Sequence, residues 1–265
     1  MISLLLIVWM ETTVSTPHCS LIIYLAKDAD LLKTFMRDLR SFFGKFPVNY
    51  EVIAIVEKGA KLSLQAITEE SALSSEKERI VIKQNTKKLG RAKSLIRGLS
   101  EATAPAMLIV NAEMASPLGD VFKLWQHLIT EEQVDITWGN RYSKKDSPFM
   151  TSASPRVRTE HFFNNIMRSK EPEAIQDPLC EVLAIKKTAW QKIYHEISLG
   201  AVRGWYLSPA LQRCPSFHKL NVIEVPIFDS GAMSHSYSTW IERWHLMRQA
   251  NAQSDSAEKT QTPNV

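Results

Sequence analysis

The sequence has few cysteines and no pattern among them. Cys19, Cys180 and Cys214 are an odd number, and none belongs to a Cys-x-x-Cys pair. A disulfide framework needs paired cysteines, and a structural zinc site needs closely spaced ligands. The histidines also lack metal-site spacing, so we interpret them as structural or surface residues. These absences exclude disulfide-stapled and zinc-module classes, and we expect three reduced thiols in a cytoplasmic protein.

The sequence also lacks an obvious membrane-spanning segment near its start. The stretch from Ile2 to Met10 is apolar except for Ser3, whereas a bilayer core needs about 20 apolar residues. A signal peptide would need a basic start, and no Lys or Arg precedes Lys27. Two interpretations stay open: translation begins at Met10, or residues 1–17 are an N-terminal apolar extension packed on the domain.

Strong charge of one sign is absent as well. The formal net charge is only +4, with 45% hydrophobic and 23% charged residues. This composition is ordinary for a soluble globular protein. The net charge is too small to indicate nucleic-acid binding, so we expect no nucleic-acid partner. The 265 residues suffice for one large α/β domain or two small ones.

Apolar runs of strand length alternate with segments of helical periodicity. The predicted strands are 19–25, 50–56, 79–83, 107–110, 135–138, 182–185 and 221–227. The main predicted helices are 31–43, 90–102, 122–128, 158–168, 187–194 and 207–214. This alternation predicts an α/β fold with a mostly parallel central sheet flanked by helices.

The strand at 107–110 is the centre of this arrangement, because it is short, apolar and followed by polar residues. Asn111 and Glu113 come next, one residue apart, so in an extended segment they project to the same side. Open α/β sheets bind ligands beyond the carboxyl ends of their strands. An acid-x-acid pair there would hold a divalent cation against a diphosphate, but here one member is an amide.

Eight segments, in this order, resemble GT-A family-2 glycosyltransferases, in particular the dolichyl-phosphate mannose synthase-like branch. They are SLIIYLAKDADLL, YEVIAIVEKGA, NTKKLGRAKSLIRGLSEA, PAMLIVNAEMASPL, DITWGNRY, QDPLCEVLAIKKTAW, RGWYLSPALQR and NVIEVPI. The resemblance implies a GT-A (Rossmann-like, nucleotide-diphospho-sugar transferase) domain at 18–232 and a nucleotide-sugar or other anionic small-molecule ligand.

The family's functional motifs are altered in this sequence. Of the acid-containing stretch after the first strand only Asp28 remains, and Asp-Asp-Gly-Ser after the second strand becomes Glu57-Lys58-Gly59-Ala60. The metal-binding Asp-x-Asp becomes Asn111-Ala112-Glu113. Where the family carries two acids, one of them the expected catalytic base, this chain has Leu207-Ser208-Pro209-Ala210.

The resemblance nevertheless implies a set of candidate site residues. The nucleotide- or ligand-binding candidates are Asp28, Glu57, Lys58, Arg91, Asn111, Glu113 and Arg141. Asp177 is the one candidate catalytic residue. We expect no cofactor at the degenerate metal site formed by Asn111 and Glu113, or at most weak Mg²⁺ or Mn²⁺ binding.

Cations are concentrated in one acid-free stretch of fifteen residues. They are Lys83, Lys87, Lys88, Arg91, Lys93 and Arg97. Such side chains can neutralise a diphosphate without metal, or they can simply be a solvated basic surface. Both interpretations stay open.

The C-terminal part is predicted to be a helix and a tail that follow the main domain. Residues 233–250 are predicted as an amphipathic helix, and 251–265 as a disordered tail rich in Gln, Ser, Thr and Asp. Trp240 and Trp244 share one face of that helix. They either cover the domain's own core or make peripheral contact with the inner face of a membrane.

The lost acids favour a pseudoenzyme, a catalytically impaired pseudo-glycosyltransferase that binds a nucleotide, an anionic ligand or a protein partner. The alternative is an active, metal-independent or weakly metal-dependent transferase that moves a sugar to a lipid phosphate or other acceptor, because an anionic acceptor depends less on a general base. A scaffolding protein without a small-molecule site is the third hypothesis.

Overall fold

The structure is a computed structural model. Some of the residues named in the sequence predictions lie outside the ranges that it describes. The described residues are 16–26, 29–112, 117–143, 155–170, 175–199, 202 and 206–228. The candidate residues Asp28 and Glu113 lie outside these ranges, as do most of the N-terminal extension, the helix with Trp240 and Trp244, and the tail.

Strands and helices alternate along the described chain as the sequence predicts. The strands are β1 (Cys19–Leu25), β2 (Tyr50–Val56), β3 (Glu78–Gln84), β4 (Ala106–Ile109), β5 (Ile136–Asn140), β6 (Leu183–Lys186) and β7 (Val222–Pro226). The helices are α1 (Ala29–Phe43), α2 (Lys61–Ser71), α3 (Arg91–Glu101), α4 (Leu118–Thr130), α5 (Pro155–Lys170), α6 (Lys187–Leu199) and α7 (Ser208–Gln212), with a 3-10 turn at Phe217–Lys219. Each predicted strand is confirmed, with ends shifted by two residues at most.

The strands form one mixed, mostly parallel sheet. Their order is β3-β2-β1-β4-β6-β5-β7, which places β4 in the middle as predicted. β1 pairs in parallel with β2 and β4, β2 with β3, and β5 with β7. β6 is antiparallel to both of its neighbours. The other strands therefore all point the same way, and their carboxyl ends meet at one edge of the sheet.

The burial of the central strands explains their composition. All seven residues of β2 are buried, because helices cover both faces of a sheet built by right-handed crossovers. Helices α1 and α2 contact each other, while α3 packs on β1 and β2. A strand buried on both faces has a nearly continuous apolar sequence. The positions of these strands could therefore be predicted from the sequence.

Helix α3 lies unusually close to the sheet at Gly98. A Cβ atom added to Gly98 would be 2.4 Å from Cγ2 of Ile22 in β1 and 3.3 Å from Cγ1 of Ile55 in β2. The absence of a side chain at this position therefore sets the separation of helix and sheet. The candidate residue Arg91 is the first residue of this helix.

The three cysteines are all buried and free, as the expected reduced state requires. Burial raises the pKa of the Cys19 thiol far above its usual value and that of Cys214 to about 11. Within the described residues, no helix is both long enough and apolar enough to cross a bilayer.

We predict that Gly98→Ala lowers the free energy of unfolding by about 1–3 kcal/mol, because the added methyl group must displace a buried isoleucine. Gly119→Ala in α4 is the matched control, since a Cβ there meets no atom within 4 Å. The control should raise stability by about 0.5–1 kcal/mol through helix propensity. Urea unfolding measures both variants, and a similar change in the two would contradict the packing argument.

Candidate active site

The predicted site residues within the described chain gather at one edge of the sheet. We call this the carboxyl edge: the edge where β1–β5 and β7 end and where the reversed strand β6 begins. Glu57 and Lys58 follow β2, Asn111 follows β4, and Arg141 follows β5. Arg91 opens α3 after β3, and Asp177 precedes β6. The topology therefore brings together residues that lie far apart in sequence.

The carboxylate of Glu57 holds two neighbouring turns together. Its Oε1 accepts hydrogen bonds from the amides of Lys58 (2.9 Å) and Leu89 (3.2 Å) and from the Asn85 side chain (3.3 Å). Its Oε2 accepts from the Gly90 amide (2.8 Å) and the Tyr24 hydroxyl (3.0 Å). Two carboxylate oxygens offer about four acceptor sites, so these five donors already use their capacity.

The environment of Glu57 keeps it charged. Burial on its own raises the pKa of this carboxyl, but hydrogen bonds from three backbone amides and a hydroxyl outweigh burial and lower the pKa below its usual value. The predicted ligand role of Glu57 stays a prediction. In this arrangement its carboxylate faces the protein's own turns, and the exposed group of the pair is Lys58.

Half of the predicted basic stretch is bound to other protein groups. Lys83 forms a 2.8 Å ion pair with Glu101, and Arg97 donates to the side chain of Asn85 at 2.9 Å. Arg91 forms an ion pair with Glu181 and is 4% exposed. The remaining cations, Lys87, Lys88 and Lys93, are exposed. The stretch therefore divides into cations with structural partners and cations that face solvent.

Glu181 is an acid of this edge that the sequence interpretation missed. Besides Arg91, its carboxylate accepts hydrogen bonds from the amides of Ser208 (3.0 Å) and Leu207 (3.2 Å). It therefore contacts the segment where the family's two acids are replaced. The sequence offers one signal for Glu181, a single acid just before the apolar run of β6. This signal places Glu181 at the carboxyl edge only when β6 is known to be antiparallel to its neighbours.

Arg141 is locked between two carboxylates. Its guanidinium donates to both oxygens of Asp177, at 2.7 and 2.9 Å, and to Glu160 at 2.8 Å. Burial on its own lowers the pKa of Arg141, but these carboxylates outweigh burial and raise it well above its usual value. Asp177 is fully buried. Its bidentate pairing is the geometry of a residue that positions the β5 turn, and its catalytic role stays a prediction.

The described residues do not fit a divalent-metal site. Asn111 is half-buried and supplies a neutral amide where a hard cation prefers a carboxylate. Among the described residues, no group of three His, Cys, Asp or Glu side chains is placed to hold an ion. We therefore derive no chemical step through a metal.

Comparison with known proteins identifies one sequence family and many similar folds. Residues 20–193 match the model of the family described as Glycosyl transferase family 2. A mannosyltransferase from Pyrobaculum calidifontis, in complex with GDP-Man and Mn²⁺, is 14% identical with a TM-score of 0.58, over 91% of this chain and 65% of that one. The chain thus spans just under two thirds of that protein's length. No curated protein matches the chain.

Two phosphoglycerate synthases also have similar folds, with TM-scores close to that of the mannosyltransferase. Mannosyl-3-phosphoglycerate synthase from Rubrobacter xylanophilus has a TM-score of 0.63 at 8% identity, over 94% of this chain and 77% of that one. Glucosyl-3-phosphoglycerate synthase from Mycobacterium tuberculosis, with Mn²⁺, UDP and phosphoglyceric acid, has a TM-score of 0.59 at 14% identity, over 96% and 82%. At such identities the likeness shows the fold alone.

We predict that Glu57→Gln lowers the free energy of unfolding at pH 7 by about 1–3 kcal/mol, because the NH₂ group that replaces one carboxylate oxygen cannot accept a hydrogen bond and leaves buried donors without an acceptor. The difference between wild type and variant should fade as the pH falls through the lowered pKa of Glu57, since a carboxylate with a depressed pKa stabilises the fold only while charged. Urea unfolding from pH 7 to pH 3 measures this effect.

The matched control for this measurement is Glu69→Gln. Glu69 forms an ion pair of 2.8 Å with Lys33, and both side chains are about half exposed, so its loss should change stability little. Equal losses in the two variants, or a Glu57 effect that persists at low pH, would contradict the anchoring role of Glu57.

Proposed function

The chain belongs to glycosyl transferase family 2, and from this premise we propose that it is a catalytically impaired pseudo-glycosyltransferase that binds a nucleotide or another anionic small molecule. The predicted GT-A fold is confirmed by the mostly parallel sheet and by the similar solved structures. The dolichyl-phosphate mannose synthase-like branch remains part of the proposal.

One observation carries the proposal: the carboxylates that the described residues bring to the carboxyl edge already bind protein groups. Glu57 binds two turns, Asp177 binds Arg141, and Glu181 binds Arg91 and two amides. Asp120, at the start of α4, accepts the Phe228 amide at 2.7 Å. A metal ligand or a general base needs a carboxylate that can turn toward the substrate. These four would first have to give up internal bonds.

The loss of a base matters most for transfer to a hydroxyl group. A positioned proton acceptor typically contributes 10²–10⁴-fold in rate. The segment Leu207–Ala210 contains no acid, and Glu181 beside it is held in an ion pair with Arg91. To accept a proton from a substrate hydroxyl, this carboxylate would first have to give up its contacts with Arg91 and with the amides of Leu207 and Ser208.

Ligand binding has better support than catalysis. Lys58 is exposed and stands where the family carries an acid. A lysine offers three hydrogen-bond donors and no acceptor, so it suits a phosphate better than a ribose hydroxyl or a base N–H. The ligands bound in the similar structures, GDP-Man, UDP and phosphoglyceric acid, are anionic molecules of this kind.

The exposed cations also support the second candidate function, an active transferase with little or no metal dependence. Lys58, Lys87 and Lys88 stand at neighbouring turns of the carboxyl edge. Positive side chains there could stabilise a leaving diphosphate in place of a metal. A protein partner and a peripheral membrane contact through Trp240 and Trp244 remain further proposals, and these tryptophans lie outside the described residues.

We predict no tight Mn²⁺ or Mg²⁺ binding, because the neutral amide of Asn111 stands in place of a carboxylate and lowers the negative charge of the site. Calorimetric titration with Mn²⁺, with UDP or GDP present, should give no micromolar dissociation constant. Asn111→Asp should strengthen whatever binding exists, while Asn221→Asp, at an exposed position on the opposite edge, is the control. Micromolar binding by the wild type would contradict this prediction.

We predict that nucleotides stabilise the protein only weakly and through Lys58. UDP or GDP at about 1 mM should raise Tm by about 1–2 °C, which corresponds to a Kd near 1 mM. Lys58→Glu should abolish the shift. Lys45→Glu reverses the same charge at an exposed position on the opposite edge and should leave it unchanged.

The same protein should release no sugar from UDP-, GDP- or CMP-sugars. Turnover that Asp177→Ala or Glu113→Ala abolishes would replace the pseudoenzyme with the active transferase. Absence of any nucleotide-dependent shift, together with absence of turnover, would favour a scaffolding protein without a small-molecule site.

A further inference from the structure

A cluster of exposed lysines surrounds an exposed leucine at one corner of the carboxyl edge. We call it the lysine corner, and its members are Lys58, Lys61, Leu62, Lys87 and Lys88, all exposed. The first three follow β2 and the last two follow β3. These strands pair in parallel up to Val56 and Gln84, so the segments that follow them begin side by side. β3 is the outermost strand of the described sheet, which leaves this corner open on one side.

The charge of the lysine corner has a single sign. No Asp or Glu occurs at positions 58–68 or 79–100. The acid that starts the first segment, Glu57, is buried and directs its carboxylate to five protein donors. A surface on which several cations lie together attracts an anionic partner over about a Debye length.

Leu62 gives this charged surface an apolar centre. Its side chain is 73% exposed in the first turn of α2. Leu73, just beyond the other end of α2, is 66% exposed, but its sequence neighbourhood contains Glu70 and Glu76 as well as Lys77. The two leucines are thus about equally available to solvent, and only Leu62 has no acid within four residues of it in the sequence.

The two segments are held in place before any partner binds. The Glu57 carboxylate accepts the amide of Lys58 from one segment and the amides of Leu89 and Gly90 from the other. Arg97 adds a bond of 2.9 Å to the Asn85 side chain at the base of the second segment. A fixed backbone lowers the entropy lost on binding, so the lysines are presented as one surface.

We propose that the lysine corner docks the protein on a bilayer that contains anionic lipids, with the lysines at the headgroups and Leu62 in the interface. A soluble phosphate would use the lysines, but it would leave Leu62 in water. A bilayer surface uses both, because apolar side chains gain by entering the interface while cations gain from its negative potential. Lys58 belongs both to this corner and to the proposed nucleotide site, so the docking proposal is tested without nucleotide.

The test is flotation of the full-length chain with vesicles in the absence of nucleotide. Vesicles of phosphatidylcholine with about a third phosphatidylserine should bind the wild type, and pure phosphatidylcholine should not, because the attraction depends on the negative surface potential of anionic lipids. Lys87→Ala with Lys88→Ala should weaken binding by on the order of 25-fold, from about fivefold per lysine near an anionic surface. Leu62→Gln should weaken it by about fivefold or more.

Matched controls exist at the opposite edge of the sheet. Lys45→Ala with Lys77→Ala removes the same charge from exposed positions, and Leu73→Gln removes an equally exposed leucine. Both controls should bind vesicles as the wild type does. Unchanged melting temperatures of all variants would exclude unfolding as the cause of a loss.

Several results would overturn the proposal. These are absence of wild-type binding to anionic vesicles, equal binding to neutral vesicles, equal losses in the control variants, or retention of binding by the corner variants. Loss only in Trp240→Ala with Trp244→Ala would assign the contact to the C-terminal segment instead. Displacement by inorganic phosphate at constant ionic strength, with no effect of Leu62→Gln, would identify a soluble-anion site.

Discussion

Two neighbouring turns of the carboxyl edge meet on one carboxylate, that of Glu57, and a chain of polar contacts continues from there across the sheet. Glu57 holds the Gly90 amide, and the next residue, Arg91, reaches Glu181 in front of β6. Glu181 in turn holds the amide of Ser208 at the start of α7. Each link joins segments that are distant in sequence. The position of α7 thus depends on the turn after β2, although no strand pairing connects them directly.

This chain of contacts uses groups that the family's resemblance assigns to ligands. An acid at the end of the second strand and a cation at the start of α3 are suited to binding a nucleotide sugar, but here Glu57 accepts the Gly90 amide and Arg91 pairs with Glu181. Internal pairing offsets the cost of burying these charges, because buried charges are tolerated when they are paired and hydrogen-bonded. It also restricts the side chains of the site, which are already bound to protein groups. Stability and activity commonly oppose each other in this way.

The sequence predicted the sheet far better than the site. Strand positions followed from apolar runs such as β2, whose seven residues are all buried, and a central strand at 107–110 followed from its composition. The reversal of β6 was not predictable, since a run such as Leu-Ala-Ile reads the same for either direction. Without that reversal Glu181 has no apparent place at the carboxyl edge. Its pairing with Arg91 joins residues 90 positions apart, and single-sequence patterns carry no information on such contacts.

The three buried thiols divide the described fold into regions that can be observed separately. Cys19 begins β1 in the first half of the sheet, Cys180 precedes the reversed strand, and Cys214 follows α7. A thiol shielded from solvent reacts with an alkylating reagent only when its surroundings open. The rate at each cysteine therefore reports the opening free energy of its own region, so the chain carries a built-in set of probes for partial unfolding. The Cys180 carbonyl accepts the Ser208 hydroxyl at the start of α7, and the Cys214 thiol donates to the Ala210 carbonyl within α7, so the labelling rates of these two cysteines report how often α7 separates from the sheet.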